Sequence, residues 1–283
     1  MPSMIRVLML GRLGNNLFQY AVGRVLAERH GVPLVLDASW FDRAGWNQVS
    51  FFRRLDLRAK VVRRCSLGAR ALRKTTGKHY WEYRGVPVIR ESNIDQSFDP
   101  RILEAPADCV VMGYFQSALF FEGMADQIRR EIDPRPAVAG LRIPDGLGSV
   151  KSVAVHVRRG DYLRIPEFGV CGTDYYRTAM NRLRERLPGA RFFIFSDDPA
   201  WCRAQFKGED EQVMEADVDP LADLHRMSLA GHHVIANSSY SWWAAWLGRK
   251  PGQQVLCPPR WSNGAIRVPI AEKLCPGWET VEI

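Results

Sequence analysis

Residues 5–37, IRVLMLGRLGNNLFQYAVGRVLAERHGVPLVLD, predict a strand, a tight turn, a helix and a second strand in succession. The opening stretch is apolar and rich in strand-forming residues. Apolar residues at i and i+4 spacing then indicate a helix, which Gly31 is expected to end. A unit of this kind holds its two strands parallel through a right-handed crossover. The chain therefore opens as an α/β domain, and Asn15 or Asn16 is predicted to cap its first helix.

The same alternation restarts after a Pro- and Gly-rich stretch, PRPAVAGLRIPDGLG, at residues 134–148. Further strands and helices follow it, whereas residues 39–100 give no firm elements. We therefore predict an α/β fold with two Rossmann-like domains, residues 1–148 and 149–283, facing a cleft. In open α/β sheets the ligand lies at the carboxyl ends of the strands.

The composition is that of an ordinary globular protein, with 283 residues, 46% of them hydrophobic and 25% charged. No apolar run approaches the roughly 20 residues of a membrane-spanning helix. The N-terminal apolar run leads into a glycine turn and a helix, so we interpret it as a strand rather than a signal peptide. Six cysteines are scattered without a CxxC pair, which favours reduced thiols and a cytoplasmic location.

Positive charge is concentrated in residues 53–78, where ten basic residues face a single acid, Asp56. A solvated basic helix is one interpretation of this basic segment. A nucleic-acid surface or contact with the anionic inner face of a membrane are the others. The absence of aromatic residues between Phe52 and His79 removes the stacking groups that single-stranded nucleic acids need, and we expect no nucleic-acid partner.

The stretch VAVHVRRGDYL at residues 153–163 is a buried-strand pattern that runs directly into charged residues. Alternation places His156 and Arg158 on one face of the strand and Arg159 on the other. A planar, permanently charged guanidinium such as that of Arg158 suits bidentate contact with a phosphate. The alternative is an ion pair between Arg159 and Asp161, with His156 only packed.

Another strand is expected to end at Asn237, and Ser238 and Ser239 begin the helix that follows it. Hydroxyl groups and backbone amides at a helix start form an anion site without a metal, although one of these serines is also expected to cap the helix. The tryptophans of this helix recur at helical spacing, which favours a place in the core: Trp242, Trp243 and Trp246.

Carboxylates follow a third strand, in the sequence FIFSDDP, where Ser196, Asp197 and Asp198 are suited to accept hydrogen bonds from a ribose or a base. The pattern Asp217-Val218-Asp219 matches the DxD sequence with which many sugar transferases hold a divalent metal. Because Asp219 precedes a proline, we interpret it as a helix cap and predict no metal site.

Four motifs, taken together and in this order, resemble the bacterial α-1,2-fucosyltransferases of glycosyltransferase family 11. They are GRLGNNLFQYA at 11–21, HVRRGDYL at 156–163, FSDD at 195–198 and IANSSYSWWAAWL at 235–247. The sequence departs slightly from the family pattern, since Asn16 stands where many relatives carry glutamine.

The resemblance implies a GT-B-like fold, GDP-fucose as donor, and inverting transfer of fucose to the 2-hydroxyl of a galactose without a metal or other cofactor. It implies that Arg158 contacts the β-phosphate, that His156 and Asp197 help to hold the nucleoside, and that Asn15 lies near the sugar and the pyrophosphate. The predicted donor site also includes the hydroxyl residues Ser196, Ser238 and Ser239.

Inversion by single displacement calls for a base, and Asp161 is the candidate nearest in sequence to the phosphate arginine. Trp40 and Trp46 are the candidates for stacking on an acceptor, a galactose-terminated glycan that is free or lipid-linked, as in O-antigen synthesis. The alternatives with the same donor are an α-1,6- or a protein O-fucosyltransferase, or a protein that binds GDP-fucose without turnover. The alternative from another class is a nucleic-acid- or membrane-binding protein that uses the basic segment.

Overall fold

The structure is a computed structural model that describes residues 2–39, 41, 50–62, 85–92, 96–169, 171–263 and 268–282. The chain divides into two compact units, Met1–Asp133 and Pro134–Ile283. The domain boundary predicted from the sequence falls after residue 148. In the structure the Pro- and Gly-rich stretch at residues 134–148 is grouped with the second unit. Within that stretch Leu147 is buried, and its carbonyl accepts a hydrogen bond from the Ser152 hydroxyl.

The first unit is built on a five-stranded sheet in the order β3-β2-β1-β5-β4, and all of its described pairings are parallel. Its strands are β1 (Ile5–Leu8), β2 (Leu34–Asp37), β3 (Lys60–Val62), β4 (Val88–Arg90) and β5 (Cys109–Met112). Its α-helices among the described residues are α1 (Leu13–His30) and α2 (Ala125–Glu131). The predicted strand–helix–strand start is confirmed, and Gly31 ends α1 in the left-handed region with φ +63°.

Two local predictions for this unit are wrong. The residue that precedes α1 is Arg12, and no side chain caps the helix. Asn16 is instead buried, and its amide donates to the Leu10 carbonyl at 2.8 Å. The sequence also predicts a helix over residues 119–132, whereas the structure has two short 3₁₀ turns there, followed by α2, which begins only at Ala125.

The second unit carries a six-stranded sheet in the order β11-β10-β9-β6-β7-β8, again parallel in every described pairing. Its strands are β6 (Ser152–Val157), β7 (Arg191–Ser196), β8 (Glu211–Val213), β9 (His232–Val234), β10 (Val255–Cys257) and β11 (Trp278–Thr280). Its helices are α3 (Thr173–Arg186), α4 (Pro199–Gln205), α5 (Pro220–Leu229) and α6 (Ser239–Leu247). The sequence predicts β6, β7 and β9, and it predicts β10 over Val255–Cys257, but it gives no sign of β8 or β11.

The direction of winding reverses at β6, because β7 and β8 extend the sheet on one side and β9 to β11 extend it on the other. A crevice for a ligand opens at such a reversal, outside the carboxyl ends of the two central strands. In the second unit these are β6 and β9, whose register pairs Val155 with Val234. In the first unit the winding reverses between β1 and β5, where Val7 pairs with Val111.

The helix α6 packs into the core of the second unit, as its tryptophan spacing predicted. Trp242, Trp243 and Trp246 are all buried, and the Trp242 indole donates to the Lys273 carbonyl at 2.7 Å. The cap that the sequence suggested for α6 is also present, since the Ser238 hydroxyl accepts the amide of Tyr240.

The basic segment falls largely outside the described residues, which include only its first ten positions. The four basic side chains among these, Arg53, Arg54, Arg58 and Lys60, are exposed. Within the part of the chain that the structure describes, no helix is both long enough and apolar enough to cross a membrane.

Candidate functional site

Three neighbouring strands of the second unit end in the motifs that the sequence analysis selected. Arg158 follows β6, Asp197 follows β7, and Asn237 follows β9 by three residues. Because the three strands are parallel and adjacent, their carboxyl ends lie at the same edge of the sheet. The structure therefore brings these motifs together at the point where the winding reverses.

The guanidinium of Arg158 is held between two carboxylates. Its Nη2 pairs with Asp161, and its Nη1 lies 2.5 Å from Asp197 Oδ2. The Arg158 side chain is 15% exposed, against 36% for Asp161 and 28% for Asp197. A guanidinium that is paired on two sides in this way is fixed in direction.

The neighbouring arginine has a different partner. Arg159 pairs through Nε with Asp198 at 3.1 Å, and its guanidinium lies 3.9 Å from the centre of the Trp201 ring. The pair between Arg159 and Asp161 that the sequence left open is therefore replaced by two others. Both side chains of the Arg159–Asp198 pair are partly exposed, so each charge keeps contact with solvent as well as with its partner.

Asp197 is positioned by the backbone as well as by Arg158. Its Oδ1 accepts the amide of Arg159 at 2.9 Å. A methyl group at Gly160 would overlap Asp197 Oδ2 and lie 3.1 Å from Cγ, so glycine is the residue that lets this carboxylate approach the turn. The glycine of the motif thus serves the geometry of Arg158 through Asp197.

His156 lies inside β6 and is buried. Its Nδ1 has no hydrogen-bond partner among the described residues. Burial, with a smaller contribution from the charge of Arg158, lowers the pKa of His156 to about 3, so the imidazole is neutral at neutral pH. Its ring lies 5.6 Å from that of Tyr240 in α6, a direct contact between the first and last motifs of this unit.

Tyr162 makes the second connection between these motifs, and the sequence analysis did not select it. Its ring lies 5.2 Å from the Arg158 guanidinium, and its hydroxyl donates to the Asn237 carbonyl at 3.2 Å. Burial raises the pKa of Tyr162 to about 12, so the hydroxyl stays protonated and remains a donor. The side chain of Asn237 is itself fixed by the carbonyls of Phe168 and Trp261.

The predicted hydroxyl groups lie at the same edge of the sheet. Ser196 is nearly buried, and its hydroxyl accepts the amide of Asp198 at 3.0 Å. Ser238 caps α6, and Ser239 is half-buried as the first residue of that helix. Asp198 caps α4 by accepting the amide of Trp201.

Both aspartates of the DxD pattern make hydrogen bonds or ion pairs within the protein. Asp219 accepts the amide of Leu221 and caps α5, as predicted, while Asp217 accepts the amide of Asp219 and pairs with Arg226 at 3.0 Å. These contacts lower the pKa of Asp217. Among the described residues, no three His, Cys, Asp or Glu side chains cluster closely enough to hold a metal ion.

The remaining predicted residues belong to the first unit. Asn15 lies in the first turn of α1, where its Oδ1 accepts a hydrogen bond from Gln116 Nε2 at 2.8 Å. Gln116 follows β5 and was not selected from the sequence. Trp40 and Trp46, the candidate acceptor residues, lie outside the described residues.

Two bacterial glycosyltransferases are similar to this chain in sequence. An α-1,2-colitosyltransferase of Escherichia coli is 33% identical over 161 residues, which cover 53% of this chain and 55% of the relative. The O-antigen biosynthesis glycosyltransferase WbnK of Escherichia coli is 26% identical over 288 residues, which cover 90% of this chain and 93% of the relative.

Solved structures support the fold. The GDP complex of an R284K mutant of Arabidopsis thaliana FUT1 superposes with a TM-score of 0.50 at 12% identity, covering 91% of this chain and 70% of that one. The predicted fold class, GT-B-like with two parallel α/β domains, is confirmed, and the cleft between the domains stays a prediction.

Residues 96–281 match the family described as Glycosyl transferase family 11. This stretch holds β5, nearly all of the second unit, and the three motifs at the carboxyl edge of the second sheet. The chain therefore belongs to glycosyl transferase family 11.

Proposed function

We propose that this glycosyltransferase moves L-fucose from GDP-β-L-fucose to the 2-hydroxyl of a terminal galactose on a glycan, with inversion and without a metal. The carrying observation is the fixed guanidinium of Arg158 at the reversal point of the second sheet. A departing diphosphate needs fixed positive charge, and Arg158 offers it together with the start of α6. The relatives with α-1,2-transferase names support the linkage.

The donor diphosphate binds, on this proposal, by replacing Asp161 on Arg158. Asp197 stays in place because the Arg159 amide also holds it, whereas Asp161 is the more exposed partner. The exchange keeps the guanidinium paired at every stage. It also turns the Asp161 carboxylate into a group that has lost its cation and can accept a proton.

The reaction is then a single displacement. The bond between fucose C1 and the phosphate oxygen breaks, GDP leaves with the electron pair beside Arg158, and the galactose 2-oxygen bonds to C1 from the opposite face. The base that takes the proton of the 2-hydroxyl has to reach this opposite face, and Asp161 is the proposed base once the diphosphate has displaced it from Arg158. Stabilisation of the leaving diphosphate by one well-placed group is worth about 3–4 kcal/mol.

The proposal assigns the nucleoside to the part of the same crevice that lies next to His156. His156 contributes a buried, uncharged ring nitrogen that lacks a protein partner within the described residues, and Asp197 lies at the end of the adjacent strand. A neutral imidazole can donate or accept a hydrogen bond according to its tautomer. Ser196, Ser238 and Ser239 complete the part of the proposed donor site that lies in the second unit.

GDP release from GDP-fucose, with and without lactose and in buffer containing EDTA, tests the proposal. Release that lactose stimulates, together with a fucosylated product whose NMR spectrum shows an α-1,2 linkage, supports donor, linkage and metal independence in one experiment. Tight GDP binding without transfer to lactose would move the acceptor to another glycan. No GDP binding at all would overturn the assignment of Arg158.

One alternative donor and two alternative acceptors belong in the same assay. The resemblance to a colitosyltransferase makes an activated colitose the comparison donor, since it lacks the 3-hydroxyl of fucose. Chitin oligosaccharides and a protein acceptor test the α-1,6- and protein O-fucosyl alternatives. Vesicles of anionic lipid test peripheral contact with a membrane carrying a lipid-linked acceptor, and the proposal includes no nucleic-acid partner.

A further inference from the structure

A strained turn follows β5 in the first unit, at residues Gly113–Gln116. Phe115 has φ +53°, in the left-handed region that residues other than glycine seldom adopt. Its ring is buried and packs edge-on against Phe120 at 5.7 Å. Such strain persists only where the surroundings fix it, and it is concentrated at functional sites.

A single buried carboxylate fixes this turn. Glu91, just beyond β4, accepts the amide of Tyr114 at 2.6 Å and that of Phe115 at 2.8 Å. A methyl group at Gly113 would overlap Glu91 Cβ and lie 2.8 Å from the Phe115 ring, so this position requires glycine. Hydrogen bonds from two successive amides to one carboxylate leave the turn little freedom.

A second set of contacts ties the turn to the start of α1. The Gln19 amide donates to the Gly113 carbonyl at 2.8 Å, and its oxygen accepts the amides of Leu10 and Asn16. Both Asn16 and Gln19 are fully buried. The turn after β5 and the loop after β1 therefore form one rigid support.

This support places Gln116 beside Asn15. Gln116 Nε2 donates to Asn15 Oδ1 at 2.8 Å, which joins the segments that follow β5 and β1. These are the two central strands at which the winding of the first sheet reverses, so the amide pair stands where an open α/β sheet binds its ligand.

Amide side chains carry both a donor and an acceptor, and they match the hydroxyl groups of a neutral sugar better than they match a diphosphate. Given the proposed function, we propose that Gln116 binds a hydroxyl group of a sugar ring beside Asn15, and that Glu91 is the positioning residue that sets Gln116 in place. The ring is either the acceptor galactose or the fucose of the donor.

Two variants and two matched controls test this inference. Gln116→Ala removes one amide, and Glu91→Gln removes one of the two acceptors that hold the turn. Gln127→Ala and Glu131→Gln are the controls, because Gln127 donates to Glu131 in the same unit and Glu131 is as buried as Glu91. Glu131 also accepts the Tyr20 hydroxyl and Arg24, farther along α1 than the amide pair.

The measurements are the KM for lactose, kcat, and the dissociation constants of GDP and GDP-fucose, together with thermal unfolding. We expect the two test variants to lose about tenfold in sugar affinity, the worth of one hydrogen bond, while the affinity for GDP stays within twofold of wild type. A raised KM for lactose identifies the acceptor ring. Weaker binding of GDP-fucose with unchanged GDP binding identifies the donor sugar.

The inference is overturned if both test variants behave as their controls do, or if GDP and GDP-fucose weaken equally. Saturation-transfer NMR on lactose measures acceptor binding without turnover. A wild-type protein that transfers no fucose would therefore refute the proposed function, while the lactose and GDP-fucose titrations would still decide the role of Gln116. Gln116→Ala leaves the buried carboxylate untouched, so it gives a result even if Glu91→Gln fails to fold.

Discussion

Arg158 and Asp197 follow neighbouring strands, and their side chains meet with 2.5 Å between Nη1 and Oδ2. The two residues are 39 positions apart in the sequence, and they meet because the parallel register of β6 and β7 pairs Val157 with Ser196, the residues just before them. It fixes the direction of the one guanidinium on which the proposed chemistry depends.

Arg158→Lys is expected to lower kcat for fucosyl transfer about 100- to 1,000-fold while the protein stays folded. Lysine keeps the positive charge but loses the planar fork that spans Asp161 and Asp197 or two phosphate oxygens. Steady-state kinetics and thermal unfolding check this together. A kcat within threefold of wild type would remove Arg158 from the reaction.

Arg184→Lys is the matched control for that variant. Arg184 also contacts two carboxylates, Asp210 at 2.7 Å and Glu211 at 2.7 Å, in the same unit. Asp210 and Glu211 lie at the start of β8, the opposite edge of the sheet from Arg158. We expect kcat to be unchanged and stability to fall by about 1 kcal/mol or less, because lysine keeps the charge of a partly exposed ion pair.

Asp161→Asn separates the two roles proposed for this carboxylate. Loss of the base is expected to lower kcat about 100-fold. The affinity for GDP is expected to hold or to rise, because the amide competes less strongly with phosphate for Arg158. Calorimetric titration with GDP and single-turnover kinetics measure the two effects separately. A parallel loss of both would make Asp161 a structural partner of Arg158 instead.

Gly160→Ala tests whether the position of Asp197 matters. The added methyl group would overlap Asp197 Oδ2, which the Arg159 amide and Arg158 both hold, so the carboxylate must shift. Overpacking of this kind costs about 1–3 kcal/mol of stability, and we expect at least a tenfold loss of kcat with it. The matched variant is Gly169→Ala, where the new methyl group meets only the Pro166 carbonyl at an ordinary 3.5 Å.

The sequence predicts which residues lie at the ends of the strands, because that depends only on the local pattern of apolar and charged residues. The run from Val153 to Val157 is an apolar strand, and a charged motif directly after a buried strand must lie at the carboxyl edge of the sheet. The same reasoning located Asp197 and Ser238. Parallel strands bring their carboxyl ends together whatever their order, so the convergence of these motifs did not require knowledge of the register.

The ion pairs depend on register and were not predictable in this way. Arg159 selects Asp198 rather than Asp161 because Asp198 lies at the end of the adjacent strand and Trp201 covers the guanidinium. Proximity in the sequence suggests Asp161 as the partner of Arg159, but the order of the strands decides the pairing, and the sequence does not reveal that order. The contacts of Tyr162 with Arg158 and Asn237 were missed for the same reason, although the tyrosine stands within the motif.

The errors in the first unit have a different cause. Asn16 was expected at a helix cap because asparagine favours that position, but its burial commits the amide to the Leu10 carbonyl and to Gln19. Glu91 and Gln116 carried no recognisable pattern at all. Their importance arises from the pairing of β4 with β5, which sets the carboxylate beside the turn.

Chelation of divalent metals is expected to leave fucosyl transfer unchanged. Asp217 is occupied by Arg226 and the Asp219 amide, and Asp219 by the start of α5, so neither carboxylate is arranged to hold an ion. Initial rates in EDTA should equal those in Mg²⁺ or Mn²⁺ within experimental error. A rate that falls in EDTA and returns with added metal would show that the DxD pattern acts as a ligand after all.

Acid is expected to destabilise the second unit through two buried histidines. Burial lowers the pKa of both His156 and His233 to about 3, against about 6.5 in an unfolded chain. Between these values the unfolded state binds protons that the folded state does not, so the free energy of unfolding falls as the pH drops below 6.5. Each histidine contributes a slope of about 1.4 kcal/mol per pH unit. His233→Gln should therefore reduce the slope of the free energy of unfolding against pH by about 1.4 kcal/mol per pH unit between pH 6 and pH 5. Urea denaturation measures this slope. An unchanged slope would mean that His233 is protonated in the folded protein.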